Sequence, residues 1–163
     1  MKQLAFLFLL LVSACATAPR PTPLEGPTAQ INDRMQADDD ESNLRFFVVA
    51  AVDGQTIPNA VYTSGRLGMG FQTTVLPYII ARHVEVKRAR YTLLGTDVFQ
   101  TPFSHLVNKA RGRVQRIEGD VTFEPKPGVI YRVNGELSAE RSAIWIEEFE
   151  TGLVVSERIT SKP

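Results

Sequence analysis

Leu44-Arg45-Phe46-Phe47-Val48-Val49-Ala50-Ala51-Val52 is the stretch on which the fold turns. Apart from Arg45 it is apolar, and it is rich in aromatic and β-branched side chains. A short continuous apolar run bounded by turn signals is the pattern of a strand buried on both faces. Asp53-Gly54 follows at once as a tight-turn signal.

Downstream, the β texture continues. From Gly68 to Leu76, Met69, Phe71, Thr73 and Val75 recur with period two, and the glycines at 65, 68 and 70 suggest a loop with a bend or bulge at the strand's start. Tyr78 to Leu94 is the longest β-like region. Its apolar positions change from even (Val84, Val86) to odd (Ala89, Tyr91, Leu93), which predicts a bulge near Lys87–Arg88, because a one-residue slip turns a strand's faces over. One short helix is expected over 102–111. Thr101 supplies a cap, Pro102 suits the first helical position, Gly112 suits the end, and Phe103, Leu106, Val107 and Ala110 make one apolar face.

The remainder alternates again. Ile117, Gly119, Val121 and Phe123 form a strand, Lys126-Pro127-Gly128 a turn, and Val129, Tyr131 and Val133 the next strand, with Asn134-Gly135 as a hairpin signal. Ala143–Phe149, around the sole tryptophan Trp145, and Leu153–Ile159 close the chain, with a turn at Glu150-Thr151-Gly152. Trp145 is expected in the core. Seven or eight short strands with frequent turn signals predict a mainly β fold, an antiparallel β-sandwich with one short helix.

Upstream of the decisive run the texture is different. Residues 15–42 combine Pro19, Pro21, Pro23 and Pro27 with the acidic run Asp38, Asp39, Asp40 and Glu41, and lack aromatic residues. This composition predicts a flexible tether, with at most a helical turn over Ala29–Met35. The domain itself is expected over 43–163.

Residues 1–14 have the anatomy of an export signal. Lys2 is basic, Leu4 to Val12 is an unbroken apolar run, and Ser13 and Ala14 are small. The run is shorter than the roughly 20 apolar residues that a membrane-crossing helix needs. Val12-Ser13-Ala14-Cys15 resembles the lipobox of bacterial lipoproteins. That resemblance implies cleavage between Ala14 and Cys15, a diacylglycerol on the Cys15 sulfur and an acyl chain on the new amino terminus, and no other cofactor. Ala16, in place of the aspartate that favours inner-membrane retention in that family, implies the periplasmic face of the outer membrane in a Gram-negative cell. The later runs Gly128 to Val133, Ile144 to Glu148 and Thr151 to Val155 resemble the final hairpins of small proteobacterial envelope lipoproteins of unknown function, and this likeness brings no catalytic residue.

Composition narrows the chemistry. Lys plus Arg and Asp plus Glu both number 18, so the formal net charge of zero does not favour nucleic acid. Cys15 is the only cysteine. Once lipidated it leaves no disulfide, thiol nucleophile or cysteine-based metal site. No G-x-S-x-G elbow, H-E-x-x-H or calcium-loop pattern occurs. Gly65, Gly68 and Gly70 lack the lysine and the following helix of a phosphate loop. His83 and His105 have no evident partners. The one suggestive feature is a cluster of Arg88, Arg90, Lys109, Arg111, Arg113 and Arg116 in a region poor in acids, a candidate anionic-ligand patch. The expected function is a non-enzymatic binding or accessory module for an envelope protein or glycan, held at the membrane by its lipid. The alternatives are a lipid or lipopolysaccharide binder through the basic patch, or an envelope hydrolase.

Overall fold

The computed structural model describes residue 24 and residues 26–37, 43–68, 78–99, 110 and 114–161. Within them lie strands β1 (Thr28–Asn32), β2 (Arg34–Ala37), β3 (Asn43–Val52) and β4 (Gln55–Thr56), the helix α1 (Ala60–Gly68), and strands β5 (Ala81–Glu85), β6 (Ala89–Phe99), β7 (Arg116–Phe123), β8 (Ile130–Glu136), β9 (Ala143–Glu148) and β10 (Ile159–Thr160). Two five-stranded sheets form a β-sandwich. One has the order β10-β9-β8-β1-β5. The other has the order β2-β3-β6-β7, with β4 paired to β3.

The decisive run is β3, an inner strand held by β2 and β4 on one side and β6 on the other. Its apolar side chains are used on both faces. Phe47 and Val49 enter the inter-sheet core with Ile31, Leu93, Val121, Tyr131, Val133, Ile144 and Ile146. Leu44, Phe46 and Val48 pack on the opposite face with Ala60 of α1 and Leu94. Hence the run has no polar alternation: one face meets the other sheet and the other face meets the helix. Asp53 (φ 49°) and Gly54 (φ 80°) make the expected turn, with both residues in the left-handed region that a two-residue hairpin requires.

The structure departs from the sequence reading at several points. The tether gives way to folded chain before residue 42, because residues 28–37 are two strands and not a helical turn. Ala29 and Ile31 are buried in the inter-sheet core, so this segment offsets its ordering entropy with only a few apolar residues. β1 also pairs β8 in parallel, the one parallel ladder among the described residues. Gly65 lies inside α1, not in a loop. The face inversion at Lys87–Arg88 is not a bulge: β5 belongs to one sheet and β6 to the other, and the chain changes sheets there. The register shift within the sandwich lies instead in β3, between Val49 and Ala51.

Asn134-Gly135 lies inside β8 and forms no turn. A Cβ at Gly135 would sit 2.5 Å from the Ala143 carbonyl oxygen and 2.6 Å from the Phe47 ring, so close approach explains this glycine. The β8–β9 turn comes later, where the Ser138 hydroxyl accepts the Arg141 N–H at 3.0 Å. The last strand reduces to the β10 pair and a bridge between Val154 and Glu147. The expected strand after Met69, the acidic run 38–41 and the leader with Cys15 lie outside the described residues. So does the expected helix over 102–111, except for Ala110, which is helical.

Candidate binding site along the edge of β5

The chain passes from one sheet to the other at Asp33, between β1 and β2. The Asp33 side chain is fully buried, and its carboxylate accepts the backbone N–H of Val49 at 3.2 Å and of Ala60 at 2.9 Å. Arg82 of β5 meets it at 2.8 Å and also donates to the carbonyl oxygens of Val49 (3.3 Å) and Pro58 (3.4 Å). Burial pushes the Asp33 carboxyl above the ordinary aspartate value, and Arg82 and the two backbone donors only partly oppose this. Asn59 caps α1 by accepting the Tyr62 N–H at 3.1 Å, so the buried Asp33 stands at the helix's positive end.

Below this joint the two sheets separate and leave a cleft of about 590 Å³, within the usual range of ligand pockets. Its walls are Val52 and Tyr91 from one sheet, Val84 from β5, and Ile57 and Ile80 from the connections. Asp53, His83, Glu85 and Lys87 form the rim, and Leu24 reaches it from the N-terminal segment. The Tyr91 phenol is pushed up to about 12, first by burial and then by the negative charges of Asp53 and Glu85. It therefore stays protonated, and the inner cleft is apolar.

Of the six basic residues singled out in the sequence, the three that are described, Arg88, Arg90 and Arg116, are not gathered into one patch. Arg90 and Arg116 face the same side of the β6–β7 ladder, at its opposite ends, about 20 Å apart by strand rise. Asp120 and Glu118 stand between them. Arg90 lies 3.9 Å from Asp120 and Arg116 lies 2.6 Å from Glu118, so this face is a stripe with two carboxylates between two cations. Arg88 lines a separate cleft of about 420 Å³ together with Lys126 and Glu124. Lys109, Arg111, Arg113 and His105 lie outside the described residues. His83 is exposed on the rim, and among the described residues no carboxylate or hydroxyl hydrogen-bonds it. No group of three or more His, Cys, Asp or Glu converges as a metal site among the described residues.

Trp145 is buried, but on the outer face of its sheet and not between the sheets. Its Nε1–H donates to Glu147 at 2.8 Å, and Arg158 lies over the ring at 4.3 Å. Glu147 also accepts from Arg132 at 2.6 Å and Asn134 at 2.8 Å. Burial alone would raise the Glu147 carboxyl, but the donors Asn134, Trp145 and Arg132 together hold it below the ordinary value. Arg34 donates to the Asn134 side chain, tying β2 of the other sheet into the same network.

Sequence reasoning missed Asp33, Arg82 and Glu147. Arg82 offered a faint signal, a cation at a position where its strand alternates inward toward Val84. Among the described residues no helix is long and apolar enough to cross a membrane. Compared with protein-family models, with curated proteins and with solved structures, the chain finds no match in any of the three.

Proposed function

We propose that this chain is a lipid-anchored envelope protein, held through Cys15 at the periplasmic face of the outer membrane, and that its sandwich is a non-enzymatic binding module for another envelope protein. The observation that carries the binding reading is the cleft beside β5, apolar within and polar at the rim. The leader residues Leu4 to Cys15 support the anchor. Thirteen residue steps separate Cys15 from Thr28, which limits the leash to about 45 Å. The cleft therefore works close to the membrane surface.

Two measurements test this. Cys15→Ala is expected to release the protein from the membrane fraction and to remove the mass of the acyl groups. Unchanged fractionation and mass would overturn the anchor. A photo-reactive residue replacing Gln55, at the cleft, is expected to give an adduct of defined mass in envelope membranes, and one replacing Asp120, on the opposite outer face, is not. An equal yield from both positions, or from neither, would overturn the cleft as the binding site.

A hydrolytic reading draws on the same cleft, which His83, Glu85 and Tyr91 all line. No hydrogen bond joins His83 to a carboxylate or hydroxyl among the described residues, and Tyr91 is held protonated. A base–nucleophile pair in contact is what that chemistry needs. Binding is the better account.

A further inference from the structure

We propose that the free edge of β5 accepts an extended peptide segment of the partner protein as an added strand, with alternate side chains of that segment entering the cleft. This rests on the cleft being the binding site.

Two hydrogen bonds fix the direction of every peptide group in β5. The Asp33 N–H donates to the Ile80 carbonyl at 2.9 Å, and the Val86 N–H donates to the Pro27 carbonyl at 3.3 Å. Both β5-side residues are even-numbered, and an antiparallel ladder alternates. Positions 80, 82, 84 and 86 therefore turn their backbone groups toward β1. Positions 81, 83 and 85 turn theirs away. The Glu85 carbonyl is taken by the Lys87 N–H at 2.9 Å. The outward set is then the N–H and C=O of Ala81, the N–H and C=O of His83, and the N–H of Glu85, and among the described residues no backbone group pairs with any of them.

The remaining edges are less suited. β10 has two residues and β2 has four. β7 is longer, but Ile159 crowds Gly119 at its centre, and Glu118 and Asp120 place charges along it. Natural sheets blunt exposed edges with such charges, with short strands and with covering segments. At the outward positions of β5 the one charge is Glu85, at the strand's end, and Lys87 pairs with it at 2.5 Å. Ala81 and His83 carry no carboxylate or ammonium, the one arginine turns inward to Asp33, and among the described residues no strand covers this edge. An apolar cleft runs beside it, so a paired strand gains both main-chain bonds and pockets for alternate side chains. The Asp53 carboxylate on the rim favours a cation in the incoming segment.

The probe is a capped ten-residue peptide alternating valine and lysine, added to the full-length protein in nanodiscs, with amide hydrogen exchange read by NMR. In the free protein the Ala81 and His83 amides are expected to exchange faster than those of Arg82 and Val84. Saturating peptide is expected to slow the Ala81 and His83 amides at least tenfold and leave Arg82 and Val84 unchanged. His83→Pro deletes an outward N–H and none of the β1–β5 bonds, so it is expected to keep the fold and abolish the slowing. Ala81→Pro carries the same test should His83→Pro fail to fold. Unchanged exchange at millimolar peptide, or slowing that survives both proline variants, would overturn the strand proposal. An adduct from position 55 without edge protection would leave the cleft reading standing and remove the added strand alone.

Discussion

Asp33 and Arg82 meet at 2.8 Å where the chain leaves one sheet for the other, and the pair touches β3, β5 and the start of α1 at once. Removing one partner strands the other's charge in a buried place. Arg82→Met is expected to lower stability by about 3–5 kcal/mol. The double variant with Asp33→Asn is expected to recover part of that loss, because no carboxylate is then left uncompensated. Urea denaturation at neutral pH checks both; equal losses in the single and double variants would refute the pairing.

Two buried carboxyls should titrate against each other. Glu147 is held below its ordinary value of 4.5, so its contribution is complete above that pH and is lost as pH falls through the lowered value. Asp33 is held above its ordinary value of 3.8, so its contribution is present below that pH and fades as pH rises through the raised value. Glu147→Gln is expected to flatten the loss of stability below pH 4.5, and Asp33→Asn to steepen it. Denaturant midpoints measured across the acid range, at constant m-value, decide the signs.

At neutral pH, Glu147→Gln removes charge-assisted bonds to Arg132 and the Trp145 indole and is expected to lose about 1.5–3 kcal/mol. Trp145 is the only tryptophan, so its fluorescence reports the change at the site itself.

Two glycines separate close packing from backbone strain. Gly135→Ala would drive a methyl against both the Phe47 ring and a backbone oxygen, and is expected to lose at least about 1–3 kcal/mol. Gly128 has φ +73° with no atom within 4 Å of a built Cβ, so Gly128→Ala is expected to lose only about 1–2 kcal/mol. Thermal melts of the two variants rank them.

Arg90 is the contrast to Arg82. It lies 3.9 Å from Asp120 with both side chains about half exposed. Arg90→Ala is expected to change stability by less than about 1 kcal/mol, and less still at high salt. A larger or salt-insensitive loss would show that Arg90 has a structural role beyond the surface pair.

The sandwich was legible because its inner strands announce themselves. The run ending at Val52, the Asp53-Gly54 turn and the alternation through Val121, Phe123, Tyr131 and Val133 all hold in the structure. β1 was hidden because it carries only Ala29 and Ile31 into the core, amid the prolines and acids of a tether. The sheet change after Glu85 left a correct trace, an inverted parity, but parity alone cannot tell a bulge from a crossing. Gly135 misled because Asn-Gly is a turn signal by local preference, whereas here the position is decided by Phe47, which is distant in sequence. The cleft was illegible for the same reason, since its walls come from β3, β5, β6 and two connections. His83, noted for its imidazole, matters in the proposed site through its backbone.

β1 has a mechanical consequence. It is clamped between β5, with five residue pairs, and β8, with three, and then continues through Asp33 into the second sheet. In the proposed lipid-anchored state, tension arriving at Thr28 from the leash runs along the strand axis. The bonds to both neighbours are loaded together in shear, so they must fail at once and not in sequence, as they would when an edge strand peels. If the domain is anchored and holds its partner as proposed, a tug between membrane and partner passes from β1 into β5 along their five-residue ladder, which it loads in shear.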